Sequence, residues 1–285
     1  MNTYHYELYT ITTKTNLHVG AGDNNFGIVD NLVQRDTITK LPAINASSLK
    51  GALREYFKDI DKETFSCVYP ESTDENKKNS FINFFFGTDT KESESEAGAL
   101  KILSALLLAI PMRSEDKPYH LVTAPFIIET LKTFAKDVGI DKIEELDDIV
   151  LTKQHEIILE DETINLYKKI EEGILKDTIV IENTTFMELI ERLPFVARNH
   201  LENGISQNLF YEEVVPRESK FFFFLGFPDK SIVDFKKYYN DKYPSCFKKF
   251  LQNELIQIGA NASLGYGLCK ITFVQKGESD EQTDK

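Results

Sequence analysis

No tryptophan occurs in the 285 residues, and cysteine and methionine appear three times each. Cys67, Cys246 and Cys269 lie far apart and never approach a C-x-x-C spacing. That excludes a disulfide framework and a thiolate zinc cluster, and it fits reduced thiols in a cytoplasmic protein. A long apolar run is also lacking. The greasiest stretch, residues 99–111, contains Lys101 and is too short to span a bilayer. The first ten residues, MNTYHYELYT, have no basic start and no apolar core, so neither a signal peptide nor a membrane partner is expected.

Positive charge is scarce as well. Lys and Arg number 33 against 46 Asp and Glu, for a net charge of −13. This argues against a protein that coats nucleic acid by charge alone. The deficit is uneven, however. Residues 1–60 carry six basic and six acidic side chains, residues 141–193 six and fifteen, and residues 194–275 ten and eight. Screening limits the reach of distant charges to about 8–10 Å at physiological salt, so a shaped and locally basic groove stays compatible with this balance.

What is present fits a packed globular chain: 41% of residues are hydrophobic and 12% aromatic. Residues 4–19 are rich in Tyr, Thr, Ile and Leu and read as a strand that ends in a turn cluster at 20–25. A short extended piece over 27–35 follows. Ser47 and Ser48 are expected to cap a helix reaching Phe57, with Leu49, Ala52, Leu53, Tyr56 and Phe57 on its buried face and Lys50 and Arg54 on the other. Residues 71–98 read as an acid-rich loop around a short buried piece at 81–86, residues 100–110 as buried strand, and residues 126–138 as helix. An acidic, mostly helical insertion is expected over 141–193. Asn203-Gly204 signals a hairpin turn, 221–227 a core strand, and 231–255 a helical region interrupted at Pro244. Two last strands, 256–258 and 268–274, flank a glycine loop, and residues 276–285 form an acidic, frayed tail. The pattern is that of an α+β domain with insertions.

Three places carry chemistry. The helix start at Ser47–Ser48, beside Lys50 and Arg54, suits a phosphate through its free amides; the same pattern also serves an ordinary amphipathic surface helix. Gly265 and Gly267 flank Tyr266, which lets a backbone approach a ligand while a ring is free to stack; a tight turn between strands needs no ligand at all. Asp30, with His18 and the Glu212-Glu213 pair, could hold a divalent metal or orient a 2′-hydroxyl. A turn aspartate is the bland alternative.

Residues 17–57, LHVGAGDNNFGIVDNLVQRDTITKLPAINASSLKGALREYF, resemble the N-terminal signature of the RAMP superfamily. In particular they are similar to the backbone subunit of type III-B (Cmr) CRISPR effectors. That pattern has a strand ending L-H-x-G-x-G, a loop with G-x-V-D-x-x-x-Q-R, then P-x-I-x-x-S-S-L-K-G-x-L-R. Met112-Arg113-Ser114, Val122-Thr123-Ala124-Pro125, Val196-Ala197-Arg198, YEEVVP at 211–216 and IQIGANASLGYGLCKI at 256–271 extend the likeness over most of the chain, except 61–96 and 141–190. Asn45-Ala46 replaces the usual Pro-Gly, Ala260 replaces a glycine, and an aromatic expected near Val214 is missing.

The resemblance implies a single RAMP domain over 1–275, with insertions near 61–98 and 141–193 and a flexible tail over 276–285. Its fold would be an RRM/ferredoxin-like palm with a helical insertion and a protruding β-hairpin thumb near 196–216. Copies would stack as a filament along a CRISPR guide RNA, beside a large polymerase/cyclase-like subunit and a small helical subunit. Ser47, Ser48, Lys50 and Arg54, with Gly265, Tyr266 and Gly267, would hold the guide. Asp30 matches the loop aspartate on which the family depends for cutting guide-paired target RNA at regular intervals. It would be the protein's ligand to a divalent cation, expected to be Mg2+. His18 and Glu212 match assisting positions. The alternative is a non-catalytic guide-binding scaffold, against which Asp30 argues. A third reading, an endonuclease that matures the CRISPR transcript, would want a histidine near the glycine loop, where none stands in sequence.

Overall fold

In a computed structural model, residues 4–22, 30–61, 63–65, 75–88, 97–141, 143, 146, 153–202, 205–229 and 243–274 are described. The expected tail, the Asn203-Gly204 turn and the turn cluster beyond Gly22 lie outside them. The fold is α+β. Its main sheet has eleven strands in the path β12-β13-β1-β11-β4-β5-β8-β7-β6, with β2 beside β4 and β3 beside β11. These are β1 (Tyr4–Thr13), β2 (Ala43–Ile44), β3 (Lys101–Ile102), β4 (Ala105–Met112), β5 (His120–Thr123), β6 (His155–Leu159), β7 (Glu162–Ile170), β8 (Thr178–Ile181), β11 (Lys220–Pro228), β12 (Leu255–Gln257) and β13 (Leu268–Phe273). Every pairing is antiparallel except β5 with β8.

The strand at the centre explains the two layers. β11 alternates Phe222 and Phe224 on one face with Phe221, Phe223 and Phe227 on the other, and all five are buried. Phe224 meets Phe134 of α3 (Pro125–Asp137) at 5.1 Å between ring centroids. On the opposite face Phe227 meets Phe247 of α5 (Tyr243–Leu251) at 5.3 Å, and Phe247 in turn meets Phe57 of α1 (Ala46–Asp59) at 4.8 Å. Leu49, Leu53 and Phe57 are the buried stripe of α1, as the spacing requires. No helix among the described residues is long and apolar enough to cross a membrane.

Three expectations need correction. Residues 75–86 form a helix, α2 (Glu75–Phe86), whose Phe81, Ile82, Phe85 and Phe86 belong to the main core. Acid-rich flanks had disguised an i, i+1, i+4, i+5 apolar stripe as a loop. Within 153–193, strands β6, β7 and β8 outweigh the one α-helix, α4 (Asn183–Ile190), so the insertion is not mostly helical. In β7, Ile164 and Leu166 are buried while Thr163 is exposed and Asn165 half-buried, an alternation that a segment-wide count of acids hides. Finally, α1 starts at Ala46, with Asn45 at its N-cap and no side-chain capping bond from that residue. Ser47 and Ser48 sit inside the first turn instead of capping it.

Candidate RNA-binding and cleavage site

The site assembles where the chain leaves β1. After Thr13, residues 14–20 run between two partners. On one side Leu17 exchanges both backbone hydrogen bonds with Val215 at 2.8 Å, at the foot of a separate two-stranded hairpin, β9 (Phe195–Glu202) and β10 (Ile205–Glu213). On the other side lies the glycine loop between β12 and β13. There the Gly267 amide donates to Asn16 O (2.8 Å) and the Ala260 amide to His18 O (2.9 Å). His18 therefore stands against the glycine loop in space, although 241 positions separate it from Gly259 in sequence.

His18 and Glu212 are brought together, and both are sunk beneath the surface, at 5% and 4% exposure. The His18 Nδ1 donates to Glu213 O at 2.7 Å, which fixes its proton on that nitrogen. Its Nε2 lies 3.6 Å from Glu212 Oε1, and a side chain at Gly20 would meet it at 3.3 Å. The carboxylate of Glu212 is fully engaged: Arg198 Nη2 lies 2.6 Å from Oε2, and Asn261 Nδ2 donates to both oxygens at 3.0 and 3.1 Å. Glu213 points to the other face of the hairpin, where it accepts from Arg35 Nη2 at 2.5 Å and from the Val33 amide at 3.1 Å.

Asp30 is exposed at the root of this hairpin. Its Oδ2 accepts from the Tyr211 amide at 2.7 Å, while its own amide donates to Tyr211 O at 3.1 Å. Among the described residues no hydrogen bond engages its Oδ1.

The third group surrounds the start of α1. Gln34 donates to Gly20 O (3.1 Å) and to Ser48 Oγ (3.0 Å), and its Oε1 accepts from the Asn45 amide at 2.8 Å. The Ala46 amide donates to Ser104 Oγ at 3.1 Å. Capping is thus tertiary, and it leaves the Ser47 and Ser48 amides without partners among the described residues. A groove of about 640 Å³ runs from Ser48 and Gly51 to Gln257 and Gly259, with Glu55 and Asp59 further along it. Tyr56 lines it too; burial and nearby Glu254 push its hydroxyl up to about 12, so it remains a donor, to Phe250 O at 2.7 Å. Lys50 and Arg54 do not line this groove. With Ser47 they form a stripe on α1 that adjoins the one carrying Ser48, Gly51 and Glu55, turned from it by roughly 100° about the helix axis.

Among the described residues no group of three or more His, Cys, Asp or Glu side chains converges as a metal cage. Asp30 fits a divalent cation as a single oxygen ligand, the remainder having to come from a bound polyanion and water. Cys269 takes no part: it is buried, and burial pushes its thiol up to about 12. Reading residue by residue missed Gln34, Arg35 and Asn261. Gln34 and Arg35 do stand in the quoted motif. Asn261 stands in the quoted stretch at 256–271 as well, and the structure gives it a positive φ (64°), a conformation that asparagine tolerates.

The chain belongs to the RAMP superfamily, whose family model matches residues 10–270. At 28% identity over 96% of both chains it is similar to the CRISPR system Cmr endoribonuclease Cmr4 of Pyrococcus furiosus. Two solved structures share its fold. One is a chain of the type III-B Cmr-beta complex bound to cognate target RNA, with a TM-score of 0.73 and 22% identity over 95% of this chain and 98% of that one. The other is oligomeric Cmr4 from Pyrococcus furiosus, with a TM-score of 0.64 and 23% identity over 96% and 100%.

Proposed function

We propose that this chain is a CRISPR RNA-binding backbone subunit of a type III-B (Cmr) complex that cuts guide-paired target RNA at regular intervals. One observation carries the reading: the exposed carboxylate of Asp30 is locked by the Tyr211 amide at the foot of the β9–β10 hairpin. In this reading the hairpin is the thumb, the main sheet the ferredoxin-like palm, and copies of the chain stack along the guide beside a large and a small helical subunit. The similarity to an endoribonuclease, and the shared fold with a subunit of an RNA-bound assembly, support it.

Guide phosphates would rest on the Ser47 and Ser48 amides, with Lys50 and Arg54 reaching the strand from one side and the Gly265–Gly267 loop from the other. Asp30 would face the target. Its carboxylate orients the target 2′-hydroxyl for in-line attack on the adjacent phosphate, from which the 5′-oxygen of the following nucleotide leaves, and the Tyr211 amide holds that carboxylate in place. When bound, a divalent cation held by Asp30 Oδ1 and RNA oxygens would stabilise charge developing on the phosphate. His18 and Glu212 are too deeply placed to touch RNA in this geometry; they set the hairpin's position. The same burial answers the transcript-maturation reading, since His18 stands at the glycine loop but its Nδ1 is already committed to Glu213 O.

The test is the assembled complex with guide RNA and labelled RNA. Complementary RNA should be cut into an evenly spaced ladder that a chelator abolishes; an uncut complement would leave only the scaffold. Lys50→Ala should lower guide retention, and an unchanged guide content would reject the helix as a phosphate site. Gly51 gives a separate check. It lies exposed within α1, and nothing stands within 4 Å of the place a Cβ would take, so Gly51→Ala should stabilise the free chain by about 0.5–1 kcal/mol. If RNA backbone approaches there, the same variant should hold guide less well despite its higher melting temperature.

A further inference from the structure

Three side chains, those of His18, Arg198 and Asn261, meet at the buried carboxylate of Glu212, and Arg198 reaches from the hairpin onto the glycine loop. Arg198 lies opposite Phe210 in the hairpin register, and Val196, two residues before it, lies opposite Glu212. Residues two apart on a strand share a face, so Arg198 and Glu212 are diagonal neighbours on one side of the hairpin. Its guanidinium places Nη2 2.6 Å from Glu212 Oε2 and its Cζ 4.9 Å from the centroid of the Tyr266 ring. That second contact is on the glycine loop, within the roughly 6 Å reach of a cation over a ring face. The Arg198 side chain is only 17% exposed, so little of it remains for an outside partner.

We propose that Arg198 is a positioning residue that couples the guide-holding loop to the target-facing hairpin, one guanidinium being shared between Glu212 and Tyr266. The proposal rests on the functional reading above. Asn261 adds the loop's own grip on the same carboxylate, while Glu213 anchors the reverse face of the hairpin to Arg35 and Val33. Glu212 immediately follows Tyr211, whose amide holds Asp30. A shift of the hairpin against the loop therefore moves the reacting carboxylate relative to the guide, and a misplacement of about 1 Å costs on the order of a hundredfold in rate. Lysine is a poor replacement, because an ammonium can pair with Glu212 but cannot lie flat on the ring at the same time.

In assembled complexes Arg198→Ala should leave guide content and target affinity unchanged, slow single-turnover cutting by about 10–100-fold, and spread the cuts over neighbouring phosphates. Arg198→Lys should restore the cut positions but only part of the rate. Since the sequence has no tryptophan, Tyr266→Trp provides a single reporter in the free chain. Adding Arg198→Ala to it should shift emission to the red and raise quenching by acrylamide. Loss of guide in step with lost cutting would make Arg198 a phosphate contact and overturn the proposal. Unchanged rate and cut positions, or an unaltered tryptophan signal, would overturn it too. If Arg198→Ala does not fold, Arg198→Lys carries the kinetic test alone, and full rate in that variant counts against the coupling. Continued cutting by Asp30→Ala would reject Asp30 but not the coupling, which the spread of cut positions still decides.

Discussion

Complexes carrying Asp30→Ala are expected to bind guide and complementary RNA as before while cutting about 10²–10⁴-fold more slowly, the range for losing a positioned acid–base group. The expectation follows from exposure and from bonding. Asp30 is on the surface, so truncation leaves no buried cavity, and the loss of one bond to the Tyr211 amide costs about 0.5–1.5 kcal/mol, or somewhat more for a charged acceptor. Asp30→Asn separates anchoring from chemistry. An asparagine oxygen can still accept from the Tyr211 amide at the same place, so the root of the hairpin is kept, but the negative charge, and with it the carboxylate oxygen proposed to hold a cation, is gone. Cutting should fall as far in Asp30→Asn as in Asp30→Ala. If Asp30→Asn cuts at the parent rate, the carboxylate merely braces the hairpin and the reaction is directed from elsewhere. Measuring both variants across a Mg2+ titration adds a second readout, since a lost ligand should leave the residual rate insensitive to the cation.

Local periodicity carried the parts of the fold whose signal is local. Leu49, Leu53 and Phe57 mark α1 by spacing alone, and the four consecutive phenylalanines at 221–224 admit only a strand covered on both faces. The misreadings share a cause: a property averaged over a segment outweighed the period within it. Glu75 and the lysines and asparagines ahead of Phe81 made α2 look like loop, and fifteen acids across 141–193 hid the alternation in β7. The start of α1 was unreadable for another reason. Its cap comes from Gln34 and Ser104, and no local pattern announces a partner 58 positions away. The site shows the same division. Asp30 was legible only because it stands in a motif. The packing of His18, Arg198, Glu212 and Asn261 joins residues up to 243 positions apart, which only the crossing of the hairpin and the glycine loop over residues 14–20 brings about.

That crossing is also where a single methyl group should do most damage to stability. Gly267 has φ +75°, and a Cβ there would lie 2.0 Å from Ile258 O; Gly259 has φ +81°, and its Cβ would lie 2.4 Å from His18 O. Neither obstacle is a side-chain tip that can swing away. Both are backbone carbonyls in the clasp itself, which the Ala260 amide on His18 O and the Gly267 amide on Asn16 O hold against residues 14–20. Gly267→Ala and Gly259→Ala must therefore displace backbone as well as bear the left-handed conformation, which alone costs about 1–2 kcal/mol for an L-residue. A total near 3–5 kcal/mol is expected, in the range reserved for such specific mechanisms. At about 2–4 °C per kcal/mol, the free chain should melt roughly 6–20 °C lower. Gly265 supplies the control, with φ +78° but nothing within 4 Å of a Cβ. Gly265→Ala should lose only the conformational share, about 1–2 kcal/mol. Equal losses at Gly265 and Gly267 would show that the carbonyls yield freely and that the loop is not the rigid clasp its contacts describe. If Gly265→Ala melts only slightly lower yet sheds its guide RNA, the open space above Gly265 is the place where the guide backbone lies.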